Sequence, residues 1–223
     1  MSGSSGAFSW EALAIGVCVV GVLAAAVVYA ARSNSRRAAG VREAAARRGW
    51  TFSPTDEEGL SARIDRFFPD ERFRLDSIVG ARPGAEAVRL FACSHHTRDQ
   101  PGNSRYSTGG LIESSRFAAI GARVEILPRS RINEATVGSV LPLGSPGFSQ
   151  SFLVVGQDRA AAERALTGAL QAAVLAHGRS PLFQQMVLVL DGTGAVVLVG
   201  PNADPQEWEA LVGLLRAVEA AVP

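Results

Sequence analysis

Hydrophobic positions along this chain fall into one unbroken run followed by a long region of short, interrupted segments. From Ala12 to Ala31, twenty consecutive residues carry no charge. At 1.5 Å rise per residue such a helix spans about 30 Å, the thickness of a bilayer's hydrocarbon core. Trp10 and Tyr29 sit near its ends, where amphipathic aromatics prefer to lie. The run therefore predicts a transmembrane helix over 12–31. A cleaved signal peptide would want a basic leader and a shorter apolar stretch. Here the leading segment has no Arg and contains Glu11.

Beyond the run, the patterns are those of a folded domain. Trp50 to Ser53 reads as a short strand. Thr55 with Glu58 forms a capping box, and Leu60, Ile64 and Phe67 recur at helical spacing, predicting a helix over 56–68 that Pro69 ends. Phe73 to Ala81 and Glu86 to Cys93 read as a hairpin across the turn Arg82-Pro83-Gly84. The polar stretch Ser94 to Gly110 reads as an exposed loop. Leu111 to Ile120, Arg123 to Leu127 and Phe148 to Val155 follow as strands, with an irregular segment from Pro128 to Pro146.

The C-terminal third has the sharpest signals. Asp158 caps one helix running to His177, with Gly178 at its C′ position. Met186 to Leu190 and Ala195 to Val199 form a hairpin around Asp191-Gly192-Thr193-Gly194. Asp204, Pro205 and Glu207 open a last helix with Trp208, Leu211, Val212, Leu215 and Val218 on its core stripe. Consecutive hairpins with flanking helices give an α+β fold: an N-terminal transmembrane helix, then a mainly antiparallel sheet with packed helices. The organisation expected is a short extracytoplasmic segment (1–11), the membrane helix (12–31), a basic juxtamembrane segment (32–49) and a soluble domain (50–223). Whether that domain divides near residue 146 is left open by the sequence.

Charge gives the helix a direction. Residues 32–49 carry Arg32, Arg36, Arg37, Arg42, Arg47 and Arg48 against Glu43 alone, and no Arg precedes the run. The positive-inside rule places the soluble domain in the cytoplasm, as part of a single-pass protein of the cell membrane. The same six arginines are candidates for contact with the anionic membrane surface. The net charge is +1, so no nucleic-acid partner is expected. The expected partners are the bilayer and a protein partner or a second copy of the chain.

Composition also excludes chemistry. All 22 basic residues are Arg and none is Lys. P-loop nucleotide binding, pyridoxal-phosphate catalysis and protein kinase chemistry each need a Lys. No cofactor is expected. Cys93, His95 and His96 form the densest group of nucleophilic or ligating side chains. A zinc site needs a fourth ligand and a different spacing. A thiol nucleophile would pair Cys93 with His95 or His96 and an orienting acid, for which Asp99 is close in sequence. The plainer reading is a buried Cys at a strand end followed by a polar loop. Asp56, Glu57 and Glu58 read as charge favoured at a helix start rather than as paired catalytic carboxylates. A binding or scaffolding module is favoured over a membrane-associated thiol or hydrolase-type enzyme.

The layout resembles that of a set of bacterial membrane-anchored proteins of unknown function. They combine a membrane helix, an Arg-Arg-Gly-Trp-x-Phe segment (here Arg47 to Phe52), a long strand hairpin, a Phe-x-x-x-Phe-x-Val-like strand (Phe148 to Val154) and a helix–hairpin–helix ending. The resemblance implies a membrane-anchored domain and carries no activity or site residues with it.

Overall fold

The structure, a computed structural model, describes residues 39–81, 88–99, 102–131, 138–200 and 207–223. The apolar run 12–31 and Arg32, Arg36 and Arg37 lie outside these residues. Among the described residues, no helix is long and apolar enough to cross a membrane. Residues 44–223 form one compact unit.

Residues 39–47 are helical (α1). Gly49 ends this helix at φ +66°, while its N–H donates to Ala46 O and the Trp50 N–H donates to Ala45 O. That is a Schellman cap, which needs a residue without a Cβ penalty in the left-handed region. It accounts for the Gly-Trp pair after the two arginines. The strands are β1 (Thr51–Ser53), β2 (Glu71–Ala81), β3 (Val88–Thr97), β4 (Arg105–Glu113), β5 (Val124–Pro128), β6 (Val140–Leu141), β7 (Phe152–Gly156), β8 (Val187–Leu190) and β9 (Gly194–Val199). The further helices are α2 (Leu60–Phe67), α3 (Pro146–Ser151), α4 (Arg159–Ala165), α5 (Gly168–Gly178) and α6 (Trp208–Ala221).

Among the described residues, nine strands join one sheet in the order β1-β2-β3-β4-β9-β8-β5-β7-β6, and their pairings are antiparallel. The fold is thus mixed α+β with a large antiparallel sheet. Strands from both sides of residue 146 pair with each other, β5 with β7 and with β8.

Helix α2 lies on one face. Its Leu60, Ile64 and Phe67 are buried against Phe91, Leu111, Val196 and Leu198, as the helical spacing predicts. Arg63 and Arg66 pair with Glu113, and Arg72 pairs with Asp65 at 3.0 Å. Helix α6 covers the opposite face over β3, β4 and β9, with α5 beside it. The Thr167 hydroxyl, capping α5, also donates to Ala221 O at 2.8 Å and ties the two helices together.

Several local expectations are corrected. The start of α2 has no Thr55–Glu58 capping box. Gly59 precedes the helix at φ +64°, and the Asp56 carboxylate accepts from the Leu60 and Ser61 amides and the Ser61 hydroxyl. Most of the supposed loop 94–110 is strand: β3 runs on to Thr97 and β4 begins at Arg105. Its His95, Arg105, Tyr106 and Ser107 line a cleft. The strand expected over 111–120 stops at Glu113, because the Ser114 hydroxyl accepts from the Arg116 N–H and opens a 3₁₀ turn over Ser115–Ala119. The strand expected from Phe148 begins only at Phe152. Pro146 starts a helical turn, and Phe148 and Phe152, four residues apart, pack with ring centroids at 5.3 Å.

The single helix expected over 158–177 is two. Asp158 does cap the first, accepting from the Ala161 N–H, but the chain breaks at Leu166 and Thr167 caps the second. Gly178 belongs to α5 and is required by close packing, since a Cβ there would meet the Phe152 ring at 2.6 Å. The Asp191 turn holds as expected: its carboxylate accepts from the Thr193 and Gly194 amides. On α6, Leu214 is buried along with Leu211, Leu215 and Val218, whereas Val212 is only half-buried. Asp204 and Pro205, with the turn 82–84, lie outside the described residues.

Candidate functional site

Three neighbouring strands bring polar side chains to the α2 face just beyond the C-terminal end of that helix. Side chains two apart on a strand share a face, so Glu71 and Phe73 of β2 lie with Cys93 and His95 of β3 and Ser107 of β4. The pairing Phe73↔His95 and Cys93↔Ser107 sets their register. His95 then reaches diagonally to both neighbours, a separation long side chains bridge. Its Nδ1 lies 2.5 Å from Glu71 Oε2 and its Nε2 lies 2.9 Å from Ser107 Oγ. The imidazole stacks on Phe73, with ring centroids 4.9 Å apart and planes within 8°. His95 itself is 6% exposed.

Of these, Glu71, His95 and Ser107 line a cleft of about 560 Å³. Phe68, Leu127, Val187 and Leu198 make its apolar wall; Arg105, Tyr106, Arg123, Glu125, Asp70 and Gln185 supply its polar groups. Tyr106 stands 60% exposed at the rim. Arg123 pairs with Glu125 at 3.0 Å and lies over the Phe68 ring.

The two carboxylates are pushed in opposite directions. The hydrogen bond from His95 holds Glu71 below the usual carboxylate range, outweighing its burial. Burial pushes Glu125 up. Arg123 opposes that shift, and the charges of Asp70 and Glu71 add to it. Such divergent pairs are found where protein sites handle charge or protons.

The sequence candidates are placed as follows. Cys93 is 1% exposed, donates to Ser107 O, and burial pushes its thiol up to about 12. It therefore offers almost no thiolate at neutral pH. His95 is in the cleft. His96 points to the other face, as adjacent strand residues must, and is half-buried there. Asp99 is exposed beyond the end of β3. Arg42 and Arg47 are exposed; Arg48 pairs with Glu209 at 2.7 Å and lies over the Trp50 ring. His177, at the end of α5, bonds Ala173 O. Among the described residues, no group of three or more His, Cys, Asp or Glu is placed to hold a metal ion.

Sequence reasoning missed Glu71, Ser107, Arg105, Arg123 and Glu125. Period-two alternation around His95 and the pairing of β2 with β3 were available, but the strand on the other side of β3 and the register of both pairings were not.

No protein-family model matches the chain, and no curated protein matches it. Among solved structures, the chain is similar to the crystal structure of the mycobacterial trehalose monomycolate transport factor A. The identity is 14%, the match covers 83% of this chain and 96% of that one, and the TM-score is 0.57. At that identity the likeness is one of fold.

Proposed function

We propose that this chain is a membrane-tethered binding or scaffolding module whose α2-side cleft receives its ligand. The cleft carries this reading. It combines an apolar wall with converging polar groups at a volume typical of ligand sites. The twenty uncharged residues of 12–31 supply the tether, and Arg32, Arg36, Arg37, Arg42, Arg47 and Arg48 favour a cytoplasmic domain at the inner surface of a bacterial membrane. The fold shared with a protein named as a transport factor agrees with a binding role. The thiol-enzyme reading loses support, because Cys93 is sealed under the sheet face.

Two experiments test this. A cysteine introduced before Ala12 should react with a membrane-impermeant maleimide on intact cells, and one placed near Pro223 should not. The reverse pattern would overturn the orientation. A photo-crosslinking residue at Tyr106, on the cleft rim, should form an adduct in native membranes, while the same residue at exposed Gln150 should not. Equal adducts at both positions, or none at Tyr106, would remove the cleft as the binding site.

A further inference from the structure

We propose that Ser107, His95 and Glu71 form a nucleophile–base–acid relay that hydrolyses a carboxylic ester held in the cleft. The inference rests on the reading of the cleft as a ligand site and adds a reaction to it.

The hydrogen-bond order is the first support. An ionised Glu71 only accepts, so the 2.5 Å contact requires the proton on His95 Nδ1. Nε2 is then left to accept from the Ser107 hydroxyl at 2.9 Å. This is the tautomer a general base needs when it activates an alcohol, with the acid orienting the ring from behind. Glu71, held below the usual carboxylate range by that same bond, stays charged to do so.

Placement is the second support. The three residues lie on β2, β3 and β4, adjacent strands of one sheet, and Phe73 stacks against the imidazole. Rigid elements hold such a constellation better than loops do. The base is shielded from water while the half-buried Ser107 lines the cleft. Ser107 sits within a strand and not at a sharp strand-to-helix elbow, so a substrate must approach from the open side of the sheet. On that side Phe68, Leu127 and Leu198 offer an apolar wall to an acyl chain, and Arg105 and Arg123 bring positive charge into the same cleft.

The chemistry closes. Ser107 Oγ adds to the ester carbonyl carbon as its proton passes to His95 Nε2. The tetrahedral species collapses, the carbon–oxygen bond to the alcohol breaks, and the alcohol leaves with the proton from Nε2. Water then adds to the acyl-Ser107 carbonyl and gives a proton to Nε2. The bond to Ser107 Oγ breaks, the acid departs, and Ser107 regains its proton.

The test uses the full chain in detergent micelles with two probes, a fluorophosphonate and 4-nitrophenyl butyrate. Folded wild-type protein should be labelled at Ser107, identified by peptide mass, and should turn over the ester. Ser107→Ala removes one oxygen and should abolish labelling. Ser107→Ala and His95→Gln should each lower turnover by about 10²–10⁴-fold with a folded circular dichroism spectrum, and Ser107→Ala should keep a Tm near wild type. Glu71→Gln should lower kcat with little change in KM. Absence of labelling on folded wild-type protein, or equal labelling of Ser107→Ala, overturns the relay. If the Tyr106 crosslinker still forms its adduct in that case, the hydrolase inference fails while the binding reading survives. If neither occurs, both fail.

Discussion

His95 Nδ1 stands 2.5 Å from Glu71 Oε2, and this contact joins two strands whose polar ends read, in sequence, as a helix exit and a loop. Its strength comes from charge, because Glu71 is ionised and an N–H aimed at a carboxylate is roughly twice as strong as a neutral bond. The hydrogen bond from His95 leads the shift that holds Glu71 below its ordinary 4.5, so folding favours the ionised form. Stability from this group is then fully present above pH 4.5 and fades as pH falls through the lower folded value. Glu71→Gln should cost about 1–2 kcal/mol near neutral pH. Urea midpoints of the variant and wild type should converge in acid; a constant gap down to the acid limit would show that the charge is irrelevant.

Cys93 should be inert while the domain is folded. Burial, reinforced by the nearby Asp76 charge, pushes its thiol up to about 12. With Cys18 replaced by Ser, iodoacetamide at about pH 8.5, where a free thiol is half ionised, should leave the folded protein unmodified. The same reagent in urea should modify it fully. Rapid alkylation without urea would mean that β3 and β4 open readily at this point.

The start of α2 offers a clean separation of two capping schemes. Burial by itself would raise Asp56, but the bonds it accepts from Ser61 and Leu60 leave its carboxyl below the usual range. Asp56→Ala removes the acceptor of two backbone amides and should cost about 1 kcal/mol. Thr55→Ala should be nearly silent, since the Thr55 hydroxyl donates only to Glu57. Equal losses in the two variants, read by denaturant midpoint, would restore the capping box.

Much of the fold was legible because burial on one face leaves a period. Leu60, Ile64 and Phe67 marked α2, and the Asp191 turn marked β8 and β9. What failed shares a cause: local polarity or apolarity was read without knowing what lay opposite. His95, Arg105, Tyr106 and Ser107 are polar and border a cleft, yet their backbone is sheet. Ala and Leu continue at helical spacing through Leu166, hiding a break that only Thr167 signals. At the site, His95 was visible as a member of the Cys93, His95 and His96 group at the end of an expected strand. Its partners Glu71 and Ser107 lie 24 and 12 residues away and meet it only through strand register. No spacing rule along the chain encodes that meeting.

Glu125 should behave oppositely to Glu71 although both border one cleft. Burial leads its shift, with Asp70 and Glu71 adding repulsion, and the ion pair with Arg123 at 3.0 Å does not cancel them. Its folded value is therefore raised above 4.5, so the neutral form is the one that folding favours. Stability from the neutral group is fully present below pH 4.5 and is lost as pH rises through the folded value, where the half-buried carboxylate takes on its charge. Glu125→Gln keeps the shape and removes that charge. The variant should melt at a higher temperature than wild type near neutral pH, and the advantage should vanish in acid, the mirror image of Glu71→Gln. A lower Tm for Glu125→Gln at neutral pH would mean that its pairing with Arg123 outweighs the burial. Glu125 would then have to be counted, like Glu71, as a charge the cleft is built to hold.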